Sequence, residues 1–296
     1  MAESTDKRSG FPVRSCARIV RHPDGYVDTS NVFIAGNAIE LVPAGRTEGE
    51  THTFSRIFDV HASDTDVYDA EVVPLLQQLV AGTNVNIVVA GNHRAGHASL
   101  VNKLVPLIVD SIFDQMQQRQ AVAGGQGARL SYQLHASAGA VVIGSADKMS
   151  DMLTAGSSEL RIVRDAEAPN GVRLPGVHRQ KVGQGTDFAK MFGAARQRVA
   201  QQHKPPTPSN VLVLELTQTS SRGAQPAEEL VSQLVLADIE VGNLGDPLAS
   251  AVRTVVSAAP TRPPPHAGAA LLLADAFGGN GHTLFLGCVM PVPDLH

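Results

Sequence analysis

Gly91 and Gly96 stand five positions apart behind an apolar run, Val85 to Ala90, in the stretch IVVAGNHRAGHAS from Ile87 to Ser99. That is the spacing of the phosphate loop G-x-x-x-x-G-K-[ST], in which backbone N–H groups cradle phosphates, a Lys reaches the outer ones and a hydroxyl holds Mg²⁺. Here His97 and Ala98 fill the last two places. A neutral imidazole brings no permanent charge and a methyl group ligates no metal, so the frame for a nucleotide is present without the groups that hydrolyse it.

Gly91, Asn92, Arg94, Gly96, His97 and Ala98 are therefore expected to line a vestigial nucleotide cleft. Arg94 is placed to reach into the space that the Lys leaves, to pair with an acid across the cleft or to hold a stray phosphate on the loop amides and a helix N-terminus. His97 has a plainer alternative, a former Lys position that has become an exposed surface residue. His93 and His97 also show the i, i+4 spacing of zinc-binding imidazoles, but a helix starting near Gly96 leaves His93 in the loop and no third ligand follows; no metal is expected.

The elements that must position these residues alternate. Helical periodicity runs over Asp66 to Ala81, Ala98 to Gln120 and Asp187 to Gln202, and β-branched runs lie at Val85 to Ala90, Leu212 to Leu216 and Leu234 to Asp238. Such alternation predicts an α/β domain. Three stretches read as loop or flexible chain: the arm MAESTDKRSG (1–10), VAGGQGA (122–128) and TRPPPH (261–266). The polyproline-prone segment Ala259 to Ala270, with Pro263, Pro264 and Pro265 at its centre, is a candidate interaction loop, or else a passive spacer.

At 296 residues with 43% hydrophobic content the chain can bury one large core. A formal net charge of -4 and no basic stripe argue against nucleic acid. No secretory or membrane-spanning run is found, and Cys16 and Cys288, far apart in strand-like surroundings, read as reduced core thiols. No heptad pattern persists long enough for a coiled coil, so the sequence shows no device for self-dimerisation.

The context of the loop resembles kinesin motor domains. FSRIFD (Phe54 to Asp59) and DVYDAEVVPLLQQLVAGTNVNIVVAG (Asp66 to Gly91) are similar to that family's F-D-x-V-F strand, V-Y helix and Gly-x-Asn turn ahead of the phosphate loop. VPLIVDSIFDQM (Val105 to Met116) resembles the I-P-R-x-x-x-D-I-F helix, and Ala128 to Gln133 the V-S-Y-x-E-I-Y strand. VSQLVLAD (Val231 to Asp238) resembles the strand bearing the switch II aspartate, and LLLADAFGGNGHTLFL (Leu271 to Leu286) the L-x-D-S-L-G-G-N signature. The resemblance runs from about Phe11 to Pro291. It implies residues 1–10 as a flexible arm and 11–296 as one kinesin-like P-loop NTPase-type domain without neck or coiled coil. The expected sheet is central, mixed and mostly parallel, with helices on both faces.

Departures from the family cluster where a motor works. HKPPTPSN, containing Lys204, stands where switch I N-x-x-S-S-R-S-H is expected. D-L-A-G-S-E has become DIEVGN: Asp238 is kept, Val241 takes the glycine position and Gly242 comes one place late. The tubulin-facing segment is short, with Arg253 and Arg262 against Asp246, Asp275 and Asp294, and gives acidic tubulin little attraction. No catalytic residue and no cofactor are therefore expected, residual ATP or ADP binding aside. The resemblance implies a catalytically inactive, cytoplasmic pseudo-motor that scaffolds a microtubule-based cytoskeletal assembly, with the ciliary or flagellar axoneme as its expected home. It would contact other proteins there and meet microtubules directly or indirectly. The alternative is an atypical nucleotide-binding or ATPase kinesin-like protein that binds microtubules, with Arg94, His97 and Asp238 replacing the usual residues of the nucleotide site.

Overall fold

The computed structural model describes residues 13–21, 32–42, 48–92, 94–126, 128–145, 147–154, 159–165, 168, 172–183, 185–203, 207–221, 226–257, 268–273, 276 and 281–291. The arm at 1–10 and the Pro263 to Pro265 segment lie outside these residues, as do His93 and Lys204. The first strands are β1 (Val13–Ile19), β2 (Val32–Ala35), β3 (Ala38–Leu41), β4 (Glu50–Thr53) and β5 (Arg56–Phe58). Then come α1 (Asp64–Val67), a π-helical turn (Tyr68–Val72), α2 (Val73–Val80), β6 (Asn84–Gly91) and α3 (His97–Gly125). The middle of the chain forms β7 (Arg129–Val141), β8 (Lys148–Asp151), β9 (Glu159–Arg161), β10 (Val163–Arg164), β11 (Val172–Arg173) and β12 (Gln180–Lys181). After α4 (Gly185–Gln202) follow β13 (Asn210–Ser221), β14 (Glu228–Glu240), α5 (Pro247–Ser257), a 3₁₀ turn (Gly268–Leu273) and β15 (Gly281–Val289).

The main sheet has the order β5-β1-β15-β6-β14-β13-β7-β8-β9, with β12 added beside β7. It is parallel from β5 through β14 and antiparallel beyond, because β13 folds back between β14 and β7. A three-stranded meander, β2-β3-β4, and the hairpin β10-β11 stand apart from it.

Strand alternation gives the sheet two apolar faces, as the period of two requires. Leu212, Leu214, Leu216, Leu234 and Leu236 point to one face and are covered by α2, α3 and α4. Val211, Val235, Ala237 and Ile239 point to the other, under α5 and the 3₁₀ turn. On α3 the buried residues Leu100, Val101, Leu104, Val105, Ile108, Val109 and Ile112 recur at helical spacing and fix which side faces the sheet. Removing one such Leu to Ala costs about 2–5 kcal/mol. The loop expected at 122–128 is shorter than the sequence suggests, since α3 continues through Gly125, its last turn exposed at Val122. No described helix is long and apolar enough to cross a membrane.

Ahead of the phosphate loop, Ser63 and Asp66 form a reciprocal capping box: the Ser63 N–H donates to Asp66 Oδ2 at 2.7 Å and the Asp66 N–H to Ser63 Oγ at 3.1 Å. The π turn then rotates Glu71 inward, where Arg14 donates to its Oε1 at 2.9 Å and Arg56 lies 3.3 Å away. These ion pairs tie the helix to β1 and β5.

Candidate functional site

The cleft forms where β6 and β14, paired in parallel, end side by side: Asp238 lies level with Val89, and Glu240 with Gly91. Beyond Gly91 the chain makes a tight turn, with the Ala95 N–H donating to Asn92 O at 2.9 Å and the Arg94 N–H to Asn92 Oδ1 at 3.2 Å. Gly96 then caps α3 at φ 71°, a left-handed conformation that glycine adopts without steric cost. A Cβ at Gly91 would sit 3.1 Å from Ala95 Cβ and 3.2 Å from Cys288 Cβ, so both glycines of the motif are set by geometry.

His97 is buried at 4% exposure and not the surface residue that drift from Lys would leave. Its Nε2 lies 3.6 Å from Asp238 Oδ1 and 3.9 Å from Glu240 Oε2, while Nδ1 has no hydrogen-bond partner. Asp238 and Glu240 are two apart on β14 and therefore share the face that meets α3.

The partner of Asp238 is Arg196 from α4, and not Arg94, which is exposed. One guanidinium nitrogen of Arg196 donates to Asp238 Oδ2. The other donates to Asn102 Oδ1 and, at 3.0 Å, to the Ala98 carbonyl. The guanidinium carbon also stands 5.9 Å from the ring centre of Phe192, one helical turn earlier. A single side chain thus joins α4, the first turns of α3 and the end of β14. Arg94 was the expected partner because it lies in the glycine loop itself. The Asx turn at Asn92 directs it to solvent, whereas Arg196 is delivered from the helix beside α3 on the same sheet face by the apolar stripe of α4, Phe188, Phe192 and Ala195.

The remaining switch-like residues are tied to their own chain. The Val241 N–H donates to Gly91 O at 3.0 Å and the Gly242 N–H to Glu240 Oε1 at 3.2 Å. Asp246, fully buried, accepts from the Ser209, Leu248 and Ala249 N–H groups and locks the start of α5 to the start of β13. Among the described residues no three His, Cys, Asp or Glu side chains are grouped to hold a metal.

Two residues escaped the sequence analysis. Arg196 had no local signal beyond its place in an amphipathic helix. Glu240 had one, since a carboxylate two positions after Asp238 on a strand must face the same cleft. With Arg196 already bound, two buried carboxylates confront any incoming phosphate.

A mixed-sheet α/β domain with a G-x-x-x-x-G loop between a central strand and a long helix has the frame of a P-loop fold. The family model for the kinesin motor domain matches residues 28–240, and the chain belongs to the kinesin motor-domain family. No curated protein matches the chain in sequence. Among solved structures it is similar to the C-terminal motor and motor homology domain of Kar3Vik1 fused to a synthetic heterodimeric coiled coil. The TM-score is 0.73 at 18% identity, covering 94% of this chain and 80% of that one. It is also similar to a KIF14 dimer in a two-heads-bound state with AMP-PNP on a microtubule, with TM-score 0.75 at 18% identity, covering 96% of this chain and 89% of that one.

Proposed function

We propose that this chain is a nucleotide-free kinesin-like pseudo-motor that works as a structural or scaffolding module of a microtubule-based assembly. The observation that carries the proposal is Arg196, whose guanidinium occupies the cleft on Asp238, Asn102 and the Ala98 carbonyl. A polyphosphate entering this site would have to break a buried ion pair and then approach Asp238 and Glu240 without the ammonium, hydroxyl or metal that offset such repulsion elsewhere. Position 97 lacks the ammonium, and position 98 the Mg²⁺-binding hydroxyl, of a complete phosphate loop. The protein is on this account not an ATPase.

A microtubule setting is supported by the family and by the KIF14 relative, whose structure is a complex with a microtubule. We place this chain in the cytoskeleton and, within it, in the ciliary or flagellar axoneme, held by neighbouring proteins. Steady-state ATP turnover with and without microtubules tests the inactivity: the expected rate equals the buffer blank in both. Microtubule-stimulated turnover would contradict it. A fluorescent fusion in ciliated cells tests the location, with axonemal enrichment expected and an even cytoplasmic signal refuting it.

A further inference from the structure

An unprotected sheet edge lies in the small meander, which pairs in the order β2-β3-β4 apart from the main sheet. Gly36, at φ 60°, and Asn37 turn β2 into β3 as a two-residue hairpin loop closed by Ala35 and Ala38. In such a hairpin the closing pair exchanges its backbone hydrogen bonds and the pairs then alternate. Ala35 and Phe33 therefore bond to β3, while Ile34 and Val32 turn their N–H and C=O groups outward. No described strand pairs with that outer side.

The two edges of the meander differ in what they present. β4 carries ETHT, all of it exposed, and a charged, polar strand of this kind is blunted against pairing. β2 carries VFIA, with neither charge nor proline, and leaves Phe33 51% and Ile34 43% exposed. Leu41 of β3, on the same face as Ile34, is exposed as well. Ile39, between them, is buried with Ala17 and Ile19 of β1, so the meander is anchored through its middle strand and β2 stays open. A row of unpaired N–H and C=O groups between apolar side chains fits another extended chain.

We infer that β2 is a self-association edge, which pairs antiparallel with β2 of a second copy about a two-fold axis at Phe33. With the axis there, Val32 lies opposite Ile34 of the partner subunit, and each such pair exchanges both of its N–H to C=O bonds, so every outward group of Val32 and Ile34 gains a partner. Phe33 then meets Phe33 of the partner subunit in the non-hydrogen-bonded position, where side chains stand closest. No like charges meet. Glu40, the nearest charge in the meander, is one strand in and about 14 Å from its symmetry mate, beyond the screening length at physiological salt. The contact is smaller than a stable dimer needs, so association is weak and concentration-dependent. The sequence shows no heptads, and this device exists only once β2 has folded. It is independent of the Arg196 cluster and of the function proposed above.

Sedimentation equilibrium of the full chain from micromolar to millimolar concentration reads the association, and oxidation of added cysteines reads its register, the native Cys16 and Cys288 being buried. The expected result is a reversible monomer–dimer equilibrium with a dissociation constant on the order of 100 µM. Ile34→Lys puts a charge on an exposed edge position; it weakens association by about tenfold or more and leaves the circular dichroism spectrum unchanged. Phe33→Cys forms a disulfide-linked dimer, because opposed residues of a non-hydrogen-bonded pair lie about 4.5 Å apart at Cα. Ala35→Cys does not, because an axis at Phe33 sets its two copies about 14 Å apart along the strands. A chain that stays monomeric to millimolar concentration would overturn the inference, the edge then belonging to a strand of another protein. So would a dimer that Ile34→Lys leaves intact, or one that Phe33→Cys and Ala35→Cys cross-link equally.

Discussion

Replacing Arg196 by Met removes the cation from a pair in which Arg196 is 9% and Asp238 4% exposed. The Asp238 carboxylate then stays buried beside Glu240, with the His97 ring nitrogen 3.6 Å from it. Breaking a buried ion pair from one side costs about 3–5 kcal/mol, because the remaining charge is left without compensation. Two further losses add to it, the bonds from Arg196 to Asn102 and to the Ala98 carbonyl. For a domain of this size the fall in unfolding temperature should be on the order of 10 °C. Asp238→Asn alone should destabilise as well, and Arg196→Met with Asp238→Asn should cost less than the sum of the two, since no charge is then left buried alone. The coupling should come to about 2 kcal/mol. Urea unfolding followed by circular dichroism, with thermal scans on the same four proteins, measures it. Additive single effects, or a loss below about 1 kcal/mol for Arg196→Met, would show that the pair does not hold the cleft shut.

Further expectations follow from the same geometry. Restoring the missing loop chemistry with His97→Lys and Ala98→Ser should not by itself create Mg²⁺-dependent nucleotide binding, because Arg196 still occupies Asp238; calorimetric titration with ATP checks this, and micromolar affinity in that double variant would refute it. Gly96→Ala forces a left-handed conformation on a side chain and should cost about 1–2 kcal/mol in urea unfolding, an unchanged midpoint being the contrary result. Burial pushes the Cys16 thiol up to about 11 and the Cys288 thiol up to about 12, with the nearby Glu71 charge adding to the first. Both folded values exceed that of an exposed thiol, so the stability they lend is whole below about pH 8.5 and is lost as pH rises toward 11 and 12. The native chain should therefore lose more stability between about pH 8 and pH 10 than the Cys16→Ala, Cys288→Ala variant, and parallel pH curves would contradict this.

Much of the frame is legible in the chain because it is encoded locally. The apolar run into Gly91, the left-handed Gly96 and the periodic stripe of α3 each declare themselves within a few residues, and the strands at Leu212 and Leu234 are visible as cores of longer ones. Their full lengths, Asn210–Ser221 and Glu228–Glu240, were not, since their outer halves carry Thr, Ser, Gln and Glu that only pairing with each other and with β7 holds in extended form. The filling of the cleft was the least legible part. Membership of the glycine loop suggests Arg94, but burial selects Arg196, which reaches Asp238 from α4. Likewise, nothing local distinguishes a His97 left at the surface from one turned into a carboxylate pair; only the packing of α3 against β14 decides it.

Equilibrium titration of the purified chain with a fluorescent ATP analogue, with and without Mg²⁺ and beside an active kinesin head, tests the self-occupied cleft most directly. The structure predicts no saturable binding to millimolar ligand in either condition. Micromolar, Mg²⁺-dependent binding would contradict it, for Arg196 would then have to yield Asp238 to the nucleotide.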